Sequence, residues 1–212
     1  MPKDTFFNLP EDKRITICKV AVNEFAKYPF DQASINRIVA KSGIAKGSFY
    51  QYFEDKKDLF LYIVHLAGEE KLKYMSPLIQ NPNKHDVFTL IRELYISGIQ
   101  FVIEHPEYAE IGKRILEYKH APIFKEMMDD NLPTVHEFFE ALLGNAIASG
   151  EVREGINIKM LAYIISSMNT LIVEYYTEHV AQNFSENMME TVDDFLDFLR
   201  NGIGNNLTGS QI

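Results

Sequence analysis

Features typical of disulfide-linked and membrane proteins are missing from this chain of 212 residues. A single cysteine, Cys18, excludes an internal disulfide and a cysteine-based metal site. Cys18 lies on the apolar stripe of the first predicted helix, so we expect it to pack in a core. No run reaches the ~18 uninterrupted apolar residues of a membrane span, and the N-terminus lacks the long apolar core of a signal peptide. We therefore expect a cytoplasmic protein with no membrane partner.

The common catalytic and metal-binding motifs are missing as well. We find no glycine-rich phosphate loop, no Gly-x-Ser-x-Gly turn, no His-Glu-x-x-His sequence and no cysteine pair. Two pairs, His65 with Glu69 and His136 with Glu140, have the i, i+4 spacing that places two ligands on one helical face. A metal site needs three or four converging ligands, so these pairs are not enough. The sequence predicts no enzyme, no cofactor and no metal.

The composition is ordinary for a globular protein, with 46% hydrophobic and 24% charged residues. The length suits one large or two small domains. No segment shows the sustained alternation of polar and apolar residues that indicates a strand, and we find no repeats. We expect an all-α fold of about nine helices.

The net charge of −9 would ordinarily argue against nucleic acid as a partner, but the charges are unevenly distributed. Residues 1–65 contain ten Lys and Arg against eight Asp and Glu, whereas residues 66–212 contain 11 and 22. An acidic C-terminal region would be repelled by DNA. The N-terminal region is therefore the plausible DNA-contacting part, and we expect two copies of it to act together.

Residues 34–53 have the pattern of two short helices joined by a glycine turn. Ser34 can cap the first helix, and Gly43 offers the positive φ that a sharp turn between crossed helices needs. Ile44 and Phe49 can anchor the second helix, and the residues between them are small or hydrogen-bonding, with one cation. This pattern is typical of a helix-turn-helix, whose second helix enters the major groove of DNA.

The motif resembles the signature of the tetracycline-repressor (TetR) family of bacterial transcription regulators, in the run Gly43-Ile-Ala-Lys-Gly-Ser-Phe-Tyr-Gln-Tyr-Phe53 followed by Asp55-Lys-Lys-Asp-Leu59. The resemblance covers roughly the first sixty residues; the remainder is similar only in length, helical character and apolar content. Many members carry Ser or Thr where this chain has Ala45, and Gly where it has Pro29. Because Pro29 cannot take a left-handed helix-capping conformation, we expect the first helix to end with Tyr28 extended before it.

The resemblance implies an N-terminal three-helix DNA-binding head over residues 8–68 and a C-terminal ligand-binding and dimerisation body over residues 69–212. It carries contact with phosphates or bases onto Lys46, Gly47, Ser48, Tyr50 and Lys56, and we add Ser34, Arg37 and Gln51 as further candidates. There is a simpler interpretation of each. Lysines near helix starts are usually solvated, and a tyrosine is usually half-buried with its hydroxyl at the surface.

The helical boundaries follow from prolines, glycines and capping residues. The first helix should begin at Leu9-Pro10-Glu11 and bury the stripe Ile15, Cys18, Val22 and Phe25. A long helix should run from Lys56 to about Ile79. The remaining predicted helices are 86–104, 106–119, 124–130, 133–149, 157–180 and 185–202.

The last two predicted helices are candidates for a homodimer interface. Helix 157–180 is too apolar around its circumference for a one-sided surface helix, so it needs partners on two sides. Two helices from each subunit would form a four-helix interface, which the family resemblance also implies. The alternative is a monomer core that contains both helices. The candidate interface residues are Tyr163, Ile164, Leu171, Tyr175, Val192, Phe195, Leu196 and Leu199.

The resemblance also implies a small-molecule cavity in the body, where methionines and aromatic residues could shape a pocket. Asn169 would be a polar group among apolar neighbours. The candidate lining is Tyr95, Ile99, Tyr118, Met128, Phe138, Met168, Asn169 and Ile172. For any one of them a plain core position is the more common role. The composition favours a lipophilic or aromatic effector.

We therefore expect a dimeric, ligand-responsive repressor that such an effector releases from a palindromic double-stranded DNA operator, because the effector favours a conformation that misses the operator spacing. The alternative is an all-α lipid- or small-molecule-binding protein whose DNA-binding head does not function. Salt-dependent binding to a palindromic duplex would distinguish the two.

Overall fold

The computed structural model of the chain describes residues 1–117, 132–181, 185 and 187–204. These residues form α-helices joined by short connections, which confirms the predicted all-α class. The helices are α1 (Asp4–Phe7), α2 (Glu11–Lys27), α3 (Ile35–Ser42), α4 (Lys46–Tyr52), α5 (Lys56–Gln80), α6 (Val87–Glu104), α7 (Pro106–Glu117), α8 (Leu132–Ala148), α9 (Ile158–Tyr175) and α10 (Met188–Ile203). A π-helical turn, Tyr176–Val180, follows α9. The predicted helix 124–130 lies outside the described residues.

The chain divides into two compact units, which we call the head unit and the body unit. The head unit contains residues 1–72 and the chain from Glu104 through α7, and the body unit contains residues 73–103 and helices α8 to α10. The sequence placed a single boundary at residues 68/69, with α7 in the body. The structure differs because α7 packs against α2, and its Ile111 is buried in the core of the head unit.

Aromatic rings join the helices of the head unit. Phe6 of α1 lies 4.9 Å from Phe53, between ring centroids, and Phe25 of α2 lies 4.9 Å from Phe60 of α5. All four rings are buried, together with Ile38 of α3. Burial of rings that size is a large source of stability, so these contacts hold short helices that could not persist alone.

The N-terminal part of the head unit corrects two predictions. Helix α1 was not predicted, since four residues carry no periodic signal. Ile15 was predicted in the core but is 56% exposed, because the buried stripe of α2 is rotated to Ile17, Ala21, Glu24 and Phe25. Tyr28 does have extended backbone, with φ −125° and ψ 138°, as predicted before Pro29.

The core of the body unit is formed by α6, α8, α9 and α10. Helix α8 packs along α9, and Leu90, Leu143 and Ala162 are among the most deeply buried residues. Arg92 of α6 makes a two-bond ion pair with Asp193 of α10, at 2.6 and 3.0 Å, on the surface of this unit. No described helix is long and apolar enough to cross a membrane.

Helix α9 has two apolar faces. One face carries Leu161, Ala162, Ile165 and Ile172 into the core of the body unit. The other face is exposed to solvent and carries Met160, Tyr163, Ile164, Leu171 and Tyr175, with exposed fractions from 36% to 61%. We call these five residues the apolar face.

Helix α10 corrects part of the predicted dimer interface. Val192, Leu196 and Leu199 are buried by their own chain in the body core, and Phe195 is partly buried against it, so these residues are not available to a second copy. The apolar side chains along one face of α10 pack against α6 and the other body helices. Tyr163, Ile164, Leu171 and Tyr175 remain exposed, as an interface with another copy would require.

Candidate nucleic-acid interface

The turn between α3 and α4 has the geometry of a helix-turn-helix. Gly43 adopts the left-handed conformation, with φ 63° and ψ 38°, which strains any residue with a Cβ. The amide of Ile44 donates to the carbonyl of Val39 at 3.1 Å, which closes the end of α3. Helix α4 then begins at Lys46 after Ala45, which has extended backbone and makes no side-chain capping bond. The glycine turn that the sequence predicts is therefore confirmed.

A buried carboxylate fixes the start of α3. The side chain of Glu24 is 1% exposed, and its Oε1 accepts hydrogen bonds from the backbone N–H of Ser34 at 2.9 Å and from Arg37 Nε at 2.8 Å. The hydroxyl of Ser34 makes no capping bond, so the predicted cap is wrong; Glu24 instead holds the backbone N–H of Ser34. An ionised acceptor beside a helix N-terminus also interacts favourably with the helix dipole.

Arg37 belongs to this internal network. Besides Glu24, its guanidinium donates to the carbonyl of Gln32 at 2.8 Å and stacks 4.2 Å from the centroid of the Tyr28 ring. The hydrogen bond to Glu24 raises the pKa of the Arg37 guanidinium. The donors of Arg37 therefore stabilise the connection between α2 and α3. The sequence alone could not distinguish this role from a contact with DNA.

Two lysines bond to backbone carbonyls on either side of α3. Lys13 Nζ donates to the carbonyls of Ser42 and Gly43, at 3.0 and 3.2 Å, at the C-terminus of α3. Lys56 Nζ donates to the carbonyls of Asp31 and Ala33, at 3.2 and 3.0 Å. Cations at the negative end of a helix are stabilising, which accounts for the role of Lys13. Sequence reasoning missed Lys13, because a lysine on α2 gives no local signal of a contact 29 residues away.

The exposed surface of α4 carries the predicted groove-facing residues. Phe49 is fully buried below it, and Tyr50 is 44% exposed. Lys46, Gly47 and Gln51 are also exposed, and Ser48 is partly exposed. Within the described residues, the ammonium group of Lys46 has no hydrogen-bond or ion-pair partner. A short helix that presents a free cation, an amide, a hydroxyl and a phenol has the groups that contact phosphates and base edges.

The eight predicted DNA-binding residues therefore separate into two groups. The exposed surface of α4 brings together Lys46, Gly47, Ser48, Tyr50 and Gln51. Ser34, Arg37 and Lys56 instead surround the connection before α3, where the groups described above bond to the protein. Their long or polar side chains explain why the sequence placed them at the interface.

The predicted effector residues do not all point inward. Ile99 and Ile172 are buried in the body core, and Tyr95, Phe138 and Met168 are partly buried against it. Burial raises the pKa of the Tyr95 phenol. Asn169 is exposed, which corrects the prediction of a polar group enclosed by apolar neighbours. Tyr118 and Met128 lie outside the described residues.

Metal binding has no support in the described part of the chain. Nε2 of His65 lies 3.4 Å from Oε1 of Glu69, as their i, i+4 spacing predicts. No group of three or more possible ligands occurs among the described residues. Nε2 of His136 is buried and has no hydrogen-bond partner among the residues that the structure describes, and the centroid of its ring lies 5.4 Å from that of Tyr163.

The fold and this motif define a helix-turn-helix DNA-binding protein. Residues 17–63 match the family described as "Bacterial regulatory proteins, tetR family", and residues 85–204 match the "Tetracyclin repressor-like, C-terminal domain". The two matches together cover most of the chain. The chain belongs to the TetR family of bacterial transcriptional regulators.

Individual relatives agree with this assignment. The HTH-type transcriptional regulator YvdT of Bacillus subtilis is 25% identical over 96% of this chain and 99% of its own. The crystal structure of a TetR family regulator from Chloroflexus aurantiacus is 34% identical, with a TM-score of 0.69, and covers 96% of this chain and 99% of its own. The structure of FadR from Bacillus subtilis in complex with stearoyl-CoA shares the fold, with a TM-score of 0.72 at 18% identity over 89% of this chain and 98% of its own. The protein is thus a ligand-responsive DNA-binding regulator.

Proposed function

We propose that α4 enters the major groove of an operator and that Lys46, Ser48, Tyr50 and Gln51 make its contacts. The observation that carries this proposal is the exposed polar surface of α4 directly above the buried Phe49. Lys46 supports it further, because an unpartnered ammonium at the start of the recognition helix is free to neutralise a phosphate. Tyr50 offers a hydroxyl on the same exposed surface.

The test needs a duplex of known sequence, which selection with the wild-type chain from a random duplex pool supplies. We call it the selected duplex, and a scrambled version of it is the reference. Tyr50→Phe should weaken binding to the selected duplex about fivefold, the value of one hydrogen bond, and leave the melting temperature unchanged. Fluorescence anisotropy measures both duplexes. Tyr74→Phe, on α5 in the body unit, is the matched control, and equal affinities for Tyr50→Phe and the wild type would exclude Tyr50 from the interface.

We propose that the chain acts as a repressor whose effector is a lipophilic molecule with a long hydrocarbon chain. The partly buried Tyr95, Phe138 and Met168 give the body unit adaptable apolar surface, as such a ligand would need. The likeness to a FadR structure that contains stearoyl-CoA supports the acyl class.

The effector is tested by linkage. A ligand that releases DNA must bind the DNA-free state more tightly, typically by about 5- to 150-fold. Stearoyl-CoA should therefore weaken binding to the selected duplex at least about fivefold, whereas butanoyl-CoA, with the same head group, should have no effect. Equal effects of the two compounds would show that the head group acts and not the hydrocarbon chain. No effect of either would refute the acyl class and leave the DNA contacts intact.

We also propose that the apolar face joins two copies of the chain. Its exposed side chains, Tyr163, Leu171 and Tyr175 among them, lie on the face of α9 opposite the body core. Several large apolar side chains exposed on one helix face are typical of an interaction site. A dimer matches a palindromic operator, because each of two heads then meets one half-site.

A further inference from the structure

The C-terminal end of the recognition helix is closed by the N-terminal segment of the chain. The backbone N–H of Lys3 donates to the carbonyl of Tyr52 at 2.8 Å, and its Nζ donates to the carbonyl of Tyr50 at 3.1 Å. The hydroxyl of Thr5 donates to the carbonyl of Gln51. Three successive carbonyls of α4 thus accept hydrogen bonds from two residues, at a helix end whose last carbonyls have no partner within the helix.

Two further contacts hold the N-terminal segment, residues 3–6, against α4. Phe6 is fully buried, and its ring lies 4.9 Å from that of Phe53, the residue that follows α4. Lys3 also pairs with Glu54 at 3.0 Å. The positive charge of Lys3 lies at the negative end of the α4 dipole, where a cation is stabilising. The donors are therefore held against α4 by packing and by charge.

This arrangement bears directly on the part of α4 from which the groove-facing side chains project. Helix α4 has seven residues, too few to fix its own geometry in water. Tyr50 and Gln51 belong to its last turn, and their backbone carbonyls are two of the three that the segment binds. The segment precedes the part of the chain that matches the DNA-binding family, which begins at residue 17.

We propose that Lys3 and Thr5 are positioning residues that hold the last turn of α4 and thereby set how well the protein discriminates its operator from other DNA. The proposal rests on the proposed entry of α4 into the groove. Neither side chain needs to touch DNA. Because Tyr50 and Gln51 read the groove from a fixed backbone, loosening that backbone lowers the affinity for the correct sequence more than the affinity for an arbitrary one.

The experiment compares three double variants with the wild type. Lys3→Met with Thr5→Val removes both side-chain donors, and Lys3→Arg with Thr5→Ser keeps them. The matched control is Lys84→Met with Thr16→Val, since the Thr16 hydroxyl donates to the Asp12 carbonyl of α2 at 2.8 Å and Lys84 lies in the body unit. The readouts are the ratio of affinities for the selected and scrambled duplexes, and amide hydrogen exchange of α4 without DNA.

Removal of both donors should lower the affinity ratio about tenfold, with binding to the scrambled duplex changed less than about twofold, and should accelerate exchange in α4. The conservative pair and the control pair should keep the wild-type ratio. Equal losses on both duplexes, or an unchanged ratio with faster exchange, would overturn the positioning role. Unchanged exchange in α4 would show, without reference to DNA, that the Lys3 and Thr5 side chains do not hold its last turn. A wild-type chain that prefers no duplex would instead refute the proposed groove contacts.

Discussion

The head unit and the body unit both have an apolar core, and they differ in where charged side chains bond to the backbone. In the head unit such bonds join different helices: Lys13 of α2 donates to the C-terminal end of α3, Glu24 of α2 accepts the N–H of Ser34 before α3, and Arg114 of α7 donates to the Ala26 carbonyl of α2 at 2.9 Å. In the body unit, Asp86 and Glu151 accept backbone N–H groups at the start of α6, and the ion pair of Arg92 with Asp193 lies at the surface.

The difference follows from what each unit must fix. Directional hydrogen bonds set the angles between helices of seven and eight residues, which have little surface to bury. Apolar packing is non-directional and scales with area, so it suits the longer body helices. A unit that presents side chains to a groove needs fixed angles, whereas a unit that receives an apolar ligand or a second copy needs matching surface.

The largest effect is expected for a substitution in the apolar face of the body unit. Leu171→Glu would bury an unpaired charge in the proposed dimer interface, which should cost several kcal/mol and dissociate the dimer at micromolar concentration. Leu72→Glu is the matched control, because Leu72 is 54% exposed and Leu171 is 50% exposed. Analytical ultracentrifugation distinguishes the outcomes. A Leu171→Glu protein that sediments as a dimer would exclude the apolar face as the interface.

The second largest effect is expected for a substitution of Glu24 in the head unit. Glu24→Gln keeps the shape of the side chain but removes the ionised acceptor that Ser34 and Arg37 share, so the head should lose about 2 kcal/mol of stability. Amide exchange should accelerate in α3 and stay constant in α9. Glu11→Gln, an exposed change at the start of the same helix, should leave both rates as they are. A uniform acceleration in α3 and α9 would contradict the separate character of the two units.

A smaller effect is expected for two lysines of the head unit, Lys46, which is proposed to bind DNA, and Lys56, which bonds to the protein. Lys46→Ala should flatten the slope of log affinity against log salt by about 0.9 and leave the melting temperature unchanged. Lys56→Ala should lower the melting temperature by removing the bonds to Asp31 and Ala33, with no change in slope. Titrations at several salt concentrations and thermal melts test both. A changed salt slope for Lys56→Ala and a lower melting temperature for Lys46→Ala would show that Lys56 contacts DNA and that Lys46 stabilises the fold.

The smallest effect concerns a capped helix of the body unit. Oδ1 of Asp86 accepts the backbone N–H groups of Phe88 and Thr89, at 3.1 and 3.2 Å, at the start of α6. Burial raises the pKa of Asp86, but the hydrogen bonds from Thr89 and Phe88 and the charge of Arg200 outweigh it, so the pKa lies below its usual 3.8. The carboxylate therefore stabilises the fold above pH 3.8, and this contribution is lost as the pH falls through its folded pKa.

Asp86→Asn should accordingly cost about 0.5 kcal/mol at pH 7, because the amide still accepts hydrogen bonds but no longer carries a charge at the helix N-terminus. The difference between variant and wild type should vanish near pH 2. Urea unfolding at the two pH values measures it. Asp197→Asn, an exposed change on α10, serves as the control, and a difference that persists at the lower pH would show that charge is not the cause.

The parts of the fold that could be predicted are those with a local cause. A glycine at position 43 predicts a left-handed turn, and Pro29 disfavours helical backbone at Tyr28. The conformations of Gly43 and Tyr28 could therefore be predicted from the sequence. The exposed residues of α4 followed from the same motif. Tyr163 and Leu171 were placed on an exposed face because α9 is apolar on two sides.

The remaining features depend on contacts between distant residues. The single stripe of α10 carries no sign of whether its own chain or a second copy covers Val192, and the structure shows that its own chain does. Arg37 and Lys56 have the reach to contact phosphate, and only the positions of Glu24 and Asp31 show that both side chains bond within the protein. Thr5 is 46 residues from its acceptor, so no pattern in the sequence could connect it to α4.

The isolated bridge between Val152 and Gly204 gives the body unit an unusual kind of modularity. The amide of Arg153 donates to the carbonyl of Ile203 at 3.0 Å, so the chain enters and leaves the stretch that contains α9 and α10 at one place. A Cβ at Gly204 would lie 2.4 Å from the carbonyl oxygen of Arg200, which keeps this junction to glycine. A recombination event that exchanged this stretch between relatives would cross the chain at one junction and would have to match the core surfaces of α6 and α8. It would transfer the proposed interface between copies without altering α4.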